Sequence, residues 1–157
     1  MLLVGPAQAA DTKASAQRKG SGLPIPRFAT LKSDEVNVRT GPGSRYPIDW
    51  VFKRKGMPVE IVAEFENFRK IRDWQGASGW VYQGLLTGKR SFIIPSKVAN
   101  LYKTPAASAE VIAKLEPEVM GEIRSCQGDW CRVKVSSVSG WLQRTEIWGV
   151  YQSEPIN

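Results

Sequence analysis

The sequence aligns with itself, and this constrains the fold more than any other feature. Asn37-Val38 matches Asn100-Leu101, Pro42 matches Pro105, Ile48 matches Val111, Phe52 matches Leu115 and Met57 matches Met120, all at an offset of 63 residues. Further on, Ser78-Gly79-Trp80 matches Ser139-Gly140-Trp141 at an offset of 61, so two residues are lost between these anchors, as a hairpin loop tolerates. Self-similarity at a fixed period limits a chain to copies of one supersecondary unit. Units of about 60 residues fold alone with little margin, and the 157 residues accommodate two of them.

Within each unit the periodicity is that of strands. In Pro58 to Phe65, Val59, Ile61 and Ala63 alternate with Glu60 and Glu64; in Cys131 to Val135, Val133 and Val135 alternate with Arg132 and Lys134. Alternation of period two predicts half-buried sheet. The breaks fall at 41–43, 53–58, 74–79 and 127–129, all rich in Gly or Pro. Only Ser108 to Glu116 has a helix-compatible pattern, and the repeat opposes a helix there, because the matching Tyr46 to Arg54 is rich in β-formers. Short strands with closely spaced turns predict an all-β fold of small barrels or sandwiches. Thr87 to Ser96 is apolar over Phe92 to Ile94, so it is expected to pair as a strand or pack between two rigid units.

The stretch VNVRTGPGSRYP, Val36 to Pro47, runs from a strand into a turn. Val36 and Val38 are expected to face the core, with Asn37 and Arg39 outward. Pro42 biases Gly41 toward extended geometry, and Gly43 is expected to supply a positive φ.

The leading segment carries a short apolar run and then Ala7-Gln8-Ala9, the small-x-small pattern of a signal peptidase site. Residues 11–22 are small and polar and read as a flexible linker. Export is therefore expected, with a periplasmic or secreted destination, and no later run is long enough to span a membrane. The net charge of +7 is uneven: Leu23 to Arg90 holds 12 Lys and Arg against 7 Asp and Glu, whereas Ser96 to Asn157 holds 7 against 7. The basic residues are interleaved with acids such as Asp34, Glu35 and Glu66, which predicts a mixed, solvated surface and no nucleic-acid partner.

Histidine is absent from the sequence, which removes the commonest general base and zinc ligand together. Cys126 and Cys131 are the two cysteines, too few for a four-thiolate site. The intervening QGDW suits a hairpin that brings them together. In an oxidising compartment they would form a disulfide contributing about 2 kcal/mol; otherwise they pack as two small hydrophobes. Catalysis would fall to Glu60, Glu64 and Asp73, of which the first two share what reads as an ordinary solvated strand face. No cofactor, no metal and no enzymatic activity are expected.

NVRTGPGSRYP, then VEIVAEFENFRKI and GWVYQGLL, with GDWCRV and SGW in the second unit, resemble the bacterial SH3-like (SH3b) domain, in the exported two-repeat form found in proteobacteria. The likeness covers residues 28 to 151 and departs from the pattern at TPAASAE, which stands where the first unit has TGPGSRY. It implies two tandem small SH3-like β-barrels, with a leader at 1–22, a first domain at 23–93 and a second at 94–157. It also implies a non-catalytic envelope module recognising peptidoglycan stem peptide or glycan. The alternative is an assembly factor binding an extended peptide of another envelope protein.

In such folds the turn after Arg39 borders the ligand groove, which makes Arg39, Arg45 and Tyr46 candidates. Six tryptophans are present. Trp80 and Trp141 occupy equivalent Gly-Trp positions and point to shared packing, while Trp130 and Trp148 are expected to cover the core. Trp50 and Trp74 differ, because Ala113 stands opposite Trp50 and Ala109 opposite Tyr46. The candidate ligand-binding set is therefore Arg39, Arg45, Tyr46, Trp50, Trp74 and Tyr82, all in the first, more basic unit.

Overall fold

A computed structural model describes residues 20–157. The chain forms two antiparallel sheets. The first contains β1 (Arg27–Leu31), β2 (Val36–Arg39), β3 (Ile48–Phe52), β4 (Pro58–Phe65), β5 (Phe68–Arg72), β6 (Ser78–Tyr82) and β7 (Leu86–Thr87), in the order β3-β2-β6-β5-β4-β1-β7. The second contains β8 (Ser91–Ile93), β9 (Ala99–Tyr102), β10 (Val111–Leu115), β11 (Met120–Gln127), β12 (Trp130–Val135) and β13 (Val138–Gln143), in the order β10-β9-β13-β12-β11-β8. The all-β class is as the alternation predicts, and β10 replaces the one helix-compatible stretch. The leader residues 1–19 lie outside the described residues.

The repeat is reproduced in the pairing. Arg39 pairs with Ile48 and Val38 with Trp50, the register slipping by one residue between them. In the second sheet Tyr102 pairs with Val111 and Leu101 with Ala113, with the same slip at the same place. A second irregularity recurs between Ile61 and Ala63 in β4 and between Ile123 and Ser125 in β11. Bulges of this kind add twist and bend a strand, so both units curve in the same way. Gly79 and Gly140 recur for a steric reason. A Cβ at Gly79 would lie 2.4 Å from Val38 Cγ1, and one at Gly140 would lie 2.7 Å from Leu101 Cγ and 2.9 Å from the Tyr102 carbonyl. The shared packing role falls on these buried glycines, while Trp80 and Trp141 beside them are half-buried.

Each unit has its own apolar core. One gathers Leu31, Val36, Val38, Val59, Ile61, Ile71 and Val81; the other gathers Phe92, Ile94, Leu101, Cys126, Cys131, Val133 and Leu142. Val36 and Val38 are buried while Asn37 is exposed and Arg39 half-buried, as alternation requires. Cys126 and Cys131 form a disulfide across the Gln127–Trp130 hairpin. The Cys126 backbone exchanges both hydrogen bonds with Ile156. That leaves Cys126 and Cys131 as a non-hydrogen-bonded pair, the type with the closest Cα approach, here 4.1 Å.

β8 pairs with β11, so the two sheets part between Thr87 and Ser91. Three expectations are corrected. The linker end is tied down, because the Ser21 amide donates to Glu64 Oε2 at 2.7 Å and its hydroxyl to Oε1 at 2.5 Å. Positive φ occurs at Gly56, Gly76 and Gly128 but not at Gly43; in the 41–43 turn it is Gly41 that must be glycine, because a Cβ there would meet the Tyr46 ring at 2.4 Å. Finally, the acidic face of β4 is not solvated. Glu60 is 4% exposed and binds Arg72, while Glu64 receives Arg27 at 2.7 Å and Arg69 at 3.4 Å.

The burial of Glu60 comes from contact between the units. Tyr151 folds back and donates its hydroxyl to Glu60 Oε2 at 2.7 Å. Phe28 meets Trp148 edge-on at 5.0 Å and Tyr151 at 4.6 Å, with the Arg90 guanidinium 5.6 Å from the Phe28 ring. Arg90 is held in turn by both oxygens of Glu154, at 2.6 and 2.8 Å. Thr30 and Ser91 share a buried hydroxyl bond of 2.6 Å, and Arg54 donates to the Glu118 carbonyl at 2.8 Å.

Candidate functional site

A cavity of about 330 Å³ opens on the first sheet, lined by Asn37, Arg39, Ser44, Asn67, Phe68, Tyr82 and Leu85. Asn37 and Arg39 are the outward residues of β2. Phe68 opens β5 and pairs with Tyr82 at the end of β6, their rings 6.0 Å apart at 61°. Tyr82 is 48% exposed, so it presents an open aromatic platform. Leu85 closes the floor from a 3-10 turn at Gln83–Leu85.

The cavity carries one full positive charge and no carboxylate among its lining residues. Arg39 Nη1 donates to the carbonyls of Ser44 at 3.1 Å and Tyr46 at 2.9 Å, which fixes the side chain and ties down the loop. A guanidinium has five N–H donors, so others remain for a ligand. Asn67 accepts from Gln83 through both its main-chain and side-chain oxygens, at 2.9 and 3.3 Å.

Buried Arg69 organises this wall from behind. Its Nη1 donates to the Glu66 and Phe68 carbonyls at 2.9 and 3.0 Å, and Nη2 to Gln83 Oε1 at 2.8 Å. Burial of Glu64 opposes its ionisation, but the Ser21 hydroxyl and amide, with Arg27 and Arg69, outweigh it and hold the carboxyl below the usual range. A carboxylate therefore stays available to balance Arg69.

Of the six residues singled out from sequence, Arg39 and Tyr82 line the cavity. Arg45 and Tyr46 do not line it and sit in the adjoining loop, where the Tyr46 carbonyl accepts from Arg39, the Tyr46 ring lies over Gly41, and the Arg45 guanidinium stands 5.2 Å from that ring. Trp50 and Trp74 are elsewhere. Both pack against the apolar core, Trp50 edge-on to Phe52 at 5.7 Å. Asn37, Ser44, Asn67, Phe68 and Leu85 are not distinguished by the sequence pattern, because Phe68 comes opposite Tyr82 only through the register of the β5–β6 hairpin, and the charged ENFRK run does not announce the two-residue turn that places Asn67 beside it.

The second unit lacks this cavity chemistry. Tyr102 occupies the position of Arg39 and meets Trp130, the counterpart of Phe68, edge-on at 5.5 Å. Gln143 pairs with Trp130 as Tyr82 pairs with Phe68. Glu146 follows in the equivalent 3-10 turn, with burial pushing its carboxyl pKa up against one hydrogen bond from the Asn100 backbone. Among the described residues no group of three or more Cys, Asp or Glu is placed to hold a metal ion.

Residues 32–88 and 96–149 each match the family model of the bacterial SH3 domain. The chain is 27% identical over 125 residues to the inferred N-acetylmuramoyl-L-alanine amidase YrvJ of Bacillus subtilis (strain 168), covering 73% of this chain and 24% of that protein. The chain thus spans about a quarter of that relative's length. Among solved structures, NlpC2 from Trichomonas vaginalis aligns at a TM-score of 0.37 and 13% identity, covering 81% of this chain and 49% of the other. An NlpC/P60 family protein from Bacillus cereus ATCC 10987 aligns at 0.35 and 15%, covering 80% and 57%.

Proposed function

The chain belongs to the bacterial SH3 domain family, and from that premise we propose that it is a non-catalytic binding module of the cell envelope that recognises peptidoglycan through the Arg39–Tyr82 cavity. The observation that carries the reading is the composition of that cavity. One oriented guanidinium, two side-chain amides and an exposed aromatic face are the groups that hold a peptide carboxylate, its amides and an apolar or sugar surface. N-acetylmuramoyl-L-alanine, the unit in the relative's name, joins glycan to peptide and offers such groups.

The reading as binding without catalysis is supported by how the three candidate acids are used. Glu60 is committed to Arg72 and Tyr151, and Glu64 to Ser21 and Arg27. Asp73 caps the amides of Gln75 and Ala77 at 3.0 and 2.9 Å. The disulfide fits an oxidising compartment, which supports a periplasmic or secreted location. No described helix is long and apolar enough to cross a membrane.

The test is co-sedimentation of the chain with purified sacculi, beside an Arg39→Ala/Tyr82→Ala variant whose folding is checked by circular dichroism. The expected result is retention of the native chain and a loss of about tenfold or more in the variant, since a charge-assisted hydrogen bond contributes about 1.5–3 kcal/mol. A native chain left in the supernatant, or a variant retained equally, overturns the proposal. A second reading has its own observation: edge strands β3 and β10 expose Ile48, Val51, Val111 and Ile112, where an extended peptide of an envelope protein would add a strand. Saturable binding to such a protein, with none to sacculi, would favour it.

A further inference from the structure

A second, larger cleft of about 1030 Å³ lies between the two units, on a surface separate from the Arg39 cavity. Its lining includes Lys32, Lys55, Lys89, Arg90 and Arg124 against a single acidic side chain, Glu122. Glu122 is taken by Arg124 at 3.0 Å, and Arg90 by Glu154. Among the described residues, Lys32, Lys55 and Lys89 have no carboxylate partner.

These three lysines come from three connections: after β1, between β3 and β4, and between β7 and β8. Hydrogen bonds of the main chain fix each one. The Lys32 amide donates to the Leu85 carbonyl at 3.0 Å, and Gly56, next to Lys55, donates to the Leu31 carbonyl at 2.8 Å. The Thr30 hydroxyl donates to the Lys89 carbonyl at 2.6 Å. Arg54, on the other side of Lys55, anchors that turn to the second unit through the Glu118 carbonyl. The main chain that carries these unpaired ammonium groups is thus fixed around one concavity, where low-dielectric walls concentrate their field.

We propose that this cleft binds a linear polyanion bearing several phosphate groups. A lysine ammonium is a compact point charge that binds phosphate without a fixed two-point geometry, so several of them around one concavity suit a chain of multiply charged phosphate groups. The volume accommodates a chain of anionic groups, and cations stand on both walls. The apolar lining is aliphatic, with Leu31, Met120, Ile123 and Ile156 and no aromatic ring. A site for single-stranded nucleic acid would need rings on which bases stack, so the polymer carries phosphates without bases.

The test is titration calorimetry of the full chain with sodium tripolyphosphate at about 20 mM and about 200 mM NaCl, between which screening of exposed charges rises steeply. Two triple variants are compared: Lys32→Ala/Lys55→Ala/Lys89→Ala in the cleft, and Lys97→Ala/Lys103→Ala/Lys114→Ala outside it with the same change of net charge. The expected result is binding at low salt that weakens at high salt, is lost by about 30-fold or more in the cleft variant, and changes less than about threefold in the control. Arg39→Ala leaves tripolyphosphate binding unchanged, so this site and the wall-binding cavity stand or fall separately. No binding by the native chain, equal loss in both triple variants, or tighter binding of oligothymidylate of matched charge overturns the proposal.

Discussion

Replacing Tyr151 by Phe removes one hydroxyl and keeps the ring against Phe28, which isolates the polar part of the contact between the units. The hydroxyl donates to Glu60 Oε2 at 2.7 Å, and Glu60 is 4% exposed with its other oxygen on Arg72. Burial, and the carboxylate it donates to, push the Tyr151 phenol well above its ordinary pKa, so the donor is present at neutral pH. Truncation leaves a carboxylate oxygen buried without its partner, a loss of about 1.5–3 kcal/mol for a bond to a charged group. For a protein of this size, ~2 kcal/mol lowers Tm by about 4–8 °C. Urea denaturation followed by Trp fluorescence should show a lower midpoint with an unchanged m-value. In a cycle with Glu60→Gln, the two changes should combine to less than their sum, because both disrupt one bond. A loss below ~0.5 kcal/mol, or strict additivity, would refute the view that Tyr151 locks the second unit onto β4.

Three further outcomes follow from other contacts. Gly140→Ala should cost about 1–3 kcal/mol by overpacking, because the Leu101 side chain can yield but the Tyr102 carbonyl 2.9 Å away cannot; denaturation measures it, and a neutral result would contradict the close approach. Reduction of Cys126–Cys131 should lower stability by about 2 kcal/mol, the entropy of a loop this short, read as a Tm shift with and without reductant. The pH dependence should have two limbs, checked by Tm across pH 3 to 7. The raised carboxyl of Glu146 makes its charged form unfavourable in the fold, so stability rises as pH falls from neutrality through its folded pKa. Arg90 holds Glu154 below the usual range, and Glu64 is held low by Ser21 and Arg27 against its burial. Their contributions are present above the ordinary carboxylate range and lost as pH falls through the depressed values. Glu146→Gln should remove the first limb and leave the second.

The repeat made the fold legible, because side-chain identity persisted where packing is tightest: at Gly79 and Gly140, at Val38 and Leu101, and at the strand breaks. The acidic face of β4 was misread because alternation describes an isolated sheet. Tyr151 covers Glu60 from 91 residues away in sequence, and no local pattern encodes that contact. The site was half legible for a similar reason. Arg39 and Tyr82 stand out as an outward cation and a strand-end aromatic, whereas Asn67 and Phe68 join them only through a hairpin register. Trp50 and Trp74 stand out in the sequence as aromatics of the first unit, yet they pack on its core, where the second unit has Ala113 opposite Trp50.

The central claim is that Arg39 and Tyr82 face a peptidoglycan ligand. Its most direct test is an NMR titration of the 15N-labelled chain with a soluble muramyl peptide. The predicted result is saturable shifts confined to the amides of Asn37, Arg39, Ser44, Asn67, Phe68 and Tyr82, with the second unit's Tyr102, Trp130 and Gln143 unmoved. Shifts that appear at the second unit and spare Arg39 and Tyr82, or no shifts at any ligand concentration, would contradict it.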